Sequence, residues 1–430
     1  MRYIADWHIH SKYSRACSRE LVLPTIALWC ARKGIQIVAT GDWTHPEWFA
    51  HIKEHLEEVR QGIFRLKNTA SLLRPGGTLR PDREVEFMLV QEVSQMYKKG
   101  DRARRVHHLI FSPSLETCER VINELNRLGF NLKADGRPIL GIDSEELYMR
   151  LKELDEKIIV VPAHAWTPWY AMFGSKSGFD SIEECFGSMA SYIYAIETGL
   201  SSDPAMNRQL SLLDQVVCLS NSDAHSPRNL GREANVFDFE SPPTYDEFVR
   251  VLREKDTSRF QYTIEFYPQE GKYHFDGCAA CGFSCDPEES KRLGNRCAHC
   301  KRPLTLGVEH RVRALADRDQ PQSEGKIPFR SIVPLAEIIA EVKGVSSTTS
   351  KKVETEYVRL TNELADEFTI LLDLPLEALR ESAGDPLLAE AIARMRRGEL
   401  SIRPGYDGIY GTVRILRDEE SSRAKQPALL

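Results

Sequence analysis

Tyr3-Ile4-Ala5-Asp6-Trp7-His8-Ile9-His10 is the stretch on which the reading of this chain turns. A short apolar strand runs into His8-Ile9-His10. The two-residue period of extended backbone places both imidazoles on one face. The same grammar recurs downstream. Residues 35–39, 87–90, 158–161, 192–196 and 216–219 read as buried strands. Residues 24–33, 46–60 and 115–128 show helical periodicity between them. Strand then helix, repeated, predicts an α/β chain with a parallel sheet or barrel.

Potential ligands gather where these strands end. Asp42 follows the second strand and Glu92 follows Leu89-Val90-Gln91. His107 and His108 lie in Val106-His107-His108-Leu109, His164 follows Val160-Val161-Pro162-Ala163, and Asp223 and His225 form a D-x-H pair after residues 216–219. In a parallel barrel such positions converge on one rim. Any one histidine could be a satisfied polar residue at a strand end. The whole set would be costly to bury without a shared partner. Neutral imidazole with ionised carboxylate is the ligand set of zinc, manganese or iron. Alternation lets only one of His107 and His108 face the rim, and His107 is the favoured ligand.

Composition bounds the rest. At 430 residues the chain is long enough for about three domains. Its 42% apolar and 28% charged residues are those of a soluble globular protein, which excludes wholesale disorder. No apolar run approaches the ~18 residues of a membrane span, and no secretory pattern opens the sequence, so a cytoplasmic location and no membrane partner are expected. The net charge of −6 argues against a basic coat but allows basic patches.

Of ten cysteines, Cys17, Cys30, Cys118, Cys185 and Cys218 are scattered and read as small hydrophobes in a reducing compartment. The others cluster. Cys278-Ala279-Ala280-Cys281 and Cys297-Ala298-His299-Cys300 stand fifteen residues apart, the spacing of a closed structural zinc site made by Cys278, Cys281, Cys297 and Cys300. Ser241-Pro242-Pro243 marks a break, and residues 320–325 a linker. Residues 66–82 read as a long loop. The expected division is 1–240 for the metal-dependent catalytic barrel, 241–315 for the zinc module and 316–430 for a mainly helical region with a flexible tail.

Two basic runs flank these motifs. Lys98, Arg102, Arg104 and Arg105 precede His107; Lys291, Arg292, Arg296, Lys301 and Arg302 surround the second cysteine pair. They are candidate phosphate contacts, with a solvated face as the plain alternative. Trp166, Trp169, Tyr170 and Phe173 crowd the loop after His164. They form either core or a wall for an unstacked base.

His8-Ile9-His10, Glu92 after a middle strand, Pro162-Ala163-His164-Ala165 and Ser222-Asp223-Ala224-His225 resemble the PHP (polymerase and histidinol phosphatase) metallophosphoesterases over residues 1–235. The resemblance implies a distorted seven-stranded β/α barrel holding two or three divalent metals (zinc, manganese, magnesium or iron). By position it assigns the ligands as His8, His10, Asp42, Glu92, His107, His164, Asp223 and His225, with Asp223, His225, His164 and His10 as the catalytic set. Asp42 stands where many members carry His, and Ser14-Arg15-Ala16 where many carry an acid, which bears on a third metal. The order of barrel, four-cysteine module and helical tail, with Gly41-Asp42-Trp43-Thr44-His45 and Arg403-Pro404-Gly405-Tyr406-Asp407-Gly408, resembles the endonuclease Q family over nearly the whole chain. That implies cleavage of DNA on the 5′ side of deaminated bases (deoxyinosine, deoxyuridine, deoxyxanthosine) and abasic sites. The alternatives are a PHP phosphomonoesterase, or another metal-dependent nuclease acting on undamaged DNA. Gln426, Leu429 and Leu430 near the end resemble the short peptides that dock on a bacterial sliding clamp, a pattern also met by chance.

Overall fold

The computed structural model describes residues 1–68, 84–382 and 384–417. Most of the loop expected at 66–82, together with Gln426, Leu429 and Leu430, lies outside the described residues. The architecture is mixed α/β, as the strand and helix alternation predicts. Strand Arg2–Asp6 pairs parallel with Ile37–Ala39, which pairs parallel with the start of Glu86–Lys99. Glu86–Lys99 and Arg102–Ser112 form a long antiparallel hairpin, and Arg102–Ser112 is also antiparallel to Ile159–Pro162. Ala195–Glu197 and Val217–Leu219 are parallel. The ring is joined where Ile9 bridges Ala224 and where the Ala165 N–H donates to the Glu197 carbonyl at 2.9 Å. Beyond Arg2–Asp6 the sheet continues through Ala234–Asp238, Phe260–Glu265 and Phe329–Ser331.

Two expectations are corrected. The sheet is not parallel throughout, because a tight turn replaces one helical crossover. Gly100 adopts φ +61, the left-handed conformation that short hairpins use, and Lys99 pairs directly with Arg102. Glu92 and His107 therefore lie inside long strands rather than at strand ends. The helix expected over 46–60 stops at His55. Residues Leu56–Arg60 pair instead with Ile63–Leu66, which pairs in turn with the strand that begins at Glu86, so sheet pairing overrides helical propensity.

Aromatic packing fills the barrel beneath the histidines. The Trp7 ring meets Phe111, Phe237 and Phe248 with centroids 5.6, 5.4 and 5.3 Å away. Helix Tyr245–Glu254 supplies Phe248 to this packing and is started by a capping box between Thr244 and Glu247. Its Tyr245 hydroxyl donates to a main-chain carbonyl, with Lys157 O at 2.8 Å. No helix among the described residues is long and apolar enough to cross a membrane.

The helical region joins the barrel through a buried ion pair. Glu367 accepts from Lys33 Nζ at 2.9 Å, the Tyr357 hydroxyl at 2.7 Å and the Leu335 N–H at 2.9 Å. The side chains of Lys33 and Glu367 are only 5% and 4% exposed. Removing one partner leaves the other charge buried. Lys33→Met is therefore expected to destabilise the chain by about 3–5 kcal/mol in denaturant melts. A change below about 1 kcal/mol would mean that Glu367 is satisfied without the ammonium.

Candidate metal centre

Three strained turns and one long hairpin bring the ligand candidates together. Asp42, His164 and Asp223 each follow a strand and each adopt positive φ (43°, 29° and 46°). Such backbone persists in non-glycine residues only where surroundings hold it, and it concentrates at functional sites. At Gly199 (φ +61) an added Cβ would stand 2.4 Å from His164 Cα, so only glycine lets that turn close.

Glu92 is fully buried at the centre. Its Oε1 lies 2.6 Å from His107 Nδ1 and 3.1 Å from His164 Nε2. Its Oε2 lies 3.4 Å from His8 Nε2 and 3.3 Å from His10 Nε2. Asp223 Oδ1 completes the second group, 3.4 Å from His8 Nε2 and 3.1 Å from His10 Nε2. Two ligand groups result, His8-His10-Glu92-Asp223 and Glu92-His107-His164, sharing Glu92. Donors about 2.1 Å from an ion in tetrahedral array stand about 3.4 Å apart, close to these separations. His8 Nε2 is buried without a hydrogen-bond partner, an orphan that a cation satisfies.

The electrostatics call for positive charge. Burial alone would raise the Glu92 carboxyl, but His107, Arg137 and His8 hold it well below the carboxylate range. Burial opposes charge on His8, yet Glu197, Asp223 and Glu92 together lift its pKa well above the imidazole range; hydrogen bonds to Asp223, Asp42 and Glu92 do the same for His10. His107 goes the other way, pushed down to about 4 by burial and left neutral, as a ligand must be.

Behind the ligands stand two carboxylates with different tasks. His8 Nδ1 donates to Glu197 at 2.9 Å, so its Nε2 is the free nitrogen. Glu197 also accepts from the His164 N–H at 2.7 Å and from Asn221 Nδ2 at 2.9 Å. The sequence reading missed Glu197; its place at the end of a short strand, two residues before Gly199, was the available signal. Asp42 plays the matching part for His10, with Oδ1 3.2 Å from Nδ1. Its Oδ2 accepts from the Ser11 N–H and Oγ, both at 2.6 Å, and from Ser14 Oγ at 2.9 Å. Asp42 thus orients a ligand and stands outside both ligand groups. His225 also stands outside both groups. Its ring lies 4.7 Å from that of His10, and its Nδ1 donates to the Asp223 carbonyl at 2.8 Å. His108 faces away, with Nε2 3.1 Å from Ser144 Oγ, which leaves His107 as the inward member of the pair.

The rim corrects the aromatic and basic assignments. Trp166 and Phe173 are fully buried and packed together at 4.7 Å, with Trp166 Nε1 donating to Asn207 at 2.7 Å, so they are core. Trp169 and Tyr170 reach the surface. Trp169 meets Tyr273 edge-on at 5.5 Å, and Tyr170 lies 4.9 Å from the His107 ring. Lys98, Arg102 and Arg105 are exposed. Arg104 is half-buried over Phe179 at 4.1 Å and donates to the Gly178 carbonyl, so it braces a loop.

Cys278, Cys281, Cys297 and Cys300 form a third group, with the Cys278 and Cys300 sulfurs 3.9 Å apart. Cys285 lies outside the group, and His299 lies edge-on to Phe283 at 5.5 Å. Around this site Arg292 pairs with Glu289 at 3.2 Å, Arg296 donates to the Lys301 carbonyl at 3.0 Å and Lys301 to the Ala298 carbonyl at 2.9 Å, while Lys291 and Arg302 are exposed. Arg311 turns toward the barrel. It donates to the Phe173 and Phe179 carbonyls at 2.9 and 3.0 Å and ties the module to the barrel loop.

Two outcomes follow for the metal centre. Glu197→Gln is expected to weaken barrel metal binding about 10–100-fold in titrations of metal-stripped protein, with circular dichroism unchanged. An unaltered affinity would mean that Glu197 does not set the His8 ring. Uptake should also strengthen as pH rises, because protons held on His8 and His10 above the usual imidazole range must leave first. Affinity that is flat from acid to neutral pH would contradict this.

The chain matches the PHP-associated family over residues 215–257 and the MJ0043 C-terminal domain family over residues 334–399. It is 30% identical over 339 residues to the uncharacterized protein MJ0043 of Methanocaldococcus jannaschii, spanning 74% of this chain and 42% of that protein. Among solved structures, the lesion-specific endonuclease PfuEndoQ from Pyrococcus furiosus superposes with a TM-score of 0.83 at 31% identity, covering 100% of this chain and 98% of that one. An endonuclease Q bound to a 27-mer duplex with an abasic lesion at its active site gives 0.82 at 31% identity, covering 100% and 99%.

Proposed function

The chain belongs to the endonuclease Q family, and we propose that it is a metal-dependent DNA repair endonuclease that cuts the phosphodiester on the 5′ side of deaminated bases and abasic sites. The observation that carries this reading is Glu92, which offers one oxygen to each of two ligand groups. Full-length likeness to a lesion-specific endonuclease supports DNA as the substrate. Likeness to a complex holding an abasic duplex supports damaged DNA in particular.

His8, His10, Glu92 and Asp223 would hold one divalent ion, and Glu92, His107 and His164 another. Bound there, such ions supply Lewis acidity and lower the pKa of water toward neutrality. The chain's own groups do the rest. Glu197 and Asp42 hold the His8 and His10 rings with Nε2 inward. His225, one third exposed and fixed through Nδ1, keeps Nε2 free to hand a proton to the departing 3′ oxygen. Arg105 lies over the Tyr170 ring at 5.9 Å and is placed to receive a flanking phosphate. The four thiolates would hold a structural zinc, and the helical region after residue 316 would grip the duplex.

Purified protein with manganese or magnesium should nick end-labelled duplex once, 5′ to a single deoxyinosine or deoxyuridine, and leave undamaged duplex whole. Hydrolysis of p-nitrophenyl phosphate with intact DNA would discard the repair reading. Asp223→Ala should abolish nicking while gel shifts still show damaged-duplex binding. Loss of folding in that variant would defeat the division of roles.

A further inference from the structure

Asp135-Gly136-Arg137 belongs to no motif of the sequence, yet it is built into the mouth of the metal centre. Asp135 Oδ1 accepts from the Arg15 and Arg137 N–H groups at 3.2 and 3.1 Å. The Gly136 N–H donates to the Tyr13 carbonyl at 3.1 Å, and the Pro138 carbonyl accepts from Ser94 at 3.0 Å. One side of the segment is thus pinned to the loop after His10, the other to the strand that carries Glu92. A Cβ at Gly136 would stand 2.4 Å from Asp42 Oδ2 and 2.5 Å from Ser14 Oγ, so no side chain fits between the segment and the carboxylate that orients His10.

This framework aims Arg137 at the centre. Its Nη1 donates to Glu92 Oε2 at 2.9 Å, and 24% of its side chain stays open to solvent. Such a placement is expensive if Arg137 only braces Glu92. A guanidinium competes with the metal ions for that oxygen and repels them, and a neutral amide would brace the carboxylate without that penalty. A permanent cation with N–H donors in reserve fits a site whose further occupant is an anion with several oxygens. The planar fork of a guanidinium matches a phosphate in this way.

We propose that Arg137 is a substrate-contacting residue, whose remaining N–H donors take a non-bridging oxygen of the scissile phosphate. In the step, a water oxygen bonds to phosphorus as the bond to the 3′ oxygen breaks. The water gives up a proton and the leaving oxygen gains one. Arg137 exchanges no proton. It opposes the negative charge carried on the phosphoryl oxygens through the transition state. The inference rests on the phosphodiester-cleaving function proposed above.

The test compares full-length, metal-loaded wild type, Arg137→Ala and Arg137→Lys on deoxyuridine duplex and on bis(p-nitrophenyl) phosphate, with metal content measured alongside. Arg137→Ala should lower kcat about 10²–10³-fold on both substrates at wild-type metal content. Arg137→Lys, and added guanidinium ion with Arg137→Ala, should each restore part of the rate. An unchanged rate would overturn the inference. So would a rate that falls only in step with lost metal, which would make Arg137 a brace for Glu92. Wild type that hydrolyses the small diester but spares the damaged duplex would remove the lesion reading alone, and the Arg137 comparison would then be read on the diester.

Discussion

A carboxylate with no contact to water must meet positive charge, and Glu92 imposes that condition on the whole barrel mouth. Four imidazoles, a guanidinium and a second carboxylate are arranged around its two oxygens. These groups come from points in the chain as distant as His8 and Asp223. The barrel closure at Ile9 and Ala224 brings those two ends together, so ring closure and site assembly are one event.

The site also explains where the chain accepts strain. Asp42, His164 and Asp223 adopt left-handed backbone shortly after strands, and two of these turns are held by identifiable neighbours. Trp48 Nε1 donates to the Thr40 and Gly41 carbonyls at 3.1 and 3.0 Å and holds the turn carrying Asp42. Gly199 yields its side-chain space to His164. Two acids then fix two imidazoles: Glu197 for His8 and Asp42 for His10. Both outer carboxylates stand outside the ligand groups and accept instead from imidazole, main-chain and side-chain donors.

The four-cysteine module and the helical region connect to this barrel by different chemistry. Arg311 holds the module to the loop after His164 through main-chain carbonyls. Lys33 and Glu367 hold the helical region through a desolvated ion pair. The likeness to the endonuclease Q structures spans the full length of this chain, so barrel, module and helices all fall within it.

The sequence by itself determined the local chemistry. His8-x-His10, the D-x-H pair and the two C-x-x-C pairs were legible because ligand spacing is a property of a few consecutive residues. The strand and helix alternation was legible because burial imposes a period. Tertiary structure alone decided the rest. A hairpin turn at Gly100, not a crossover helix, moved Glu92 and His107 into mid-strand. Register chose His107 over His108. Asp42 became a support because Ser11 and Ser14 reach its oxygens across the turn. Trp166 and Phe173 turned inward, and Glu197 and Arg137 entered a site that no motif announces. In each case the deciding contact joins residues far apart in the chain or across a fold of it, and hydrogen-bond saturation is set by that geometry rather than by neighbours in sequence.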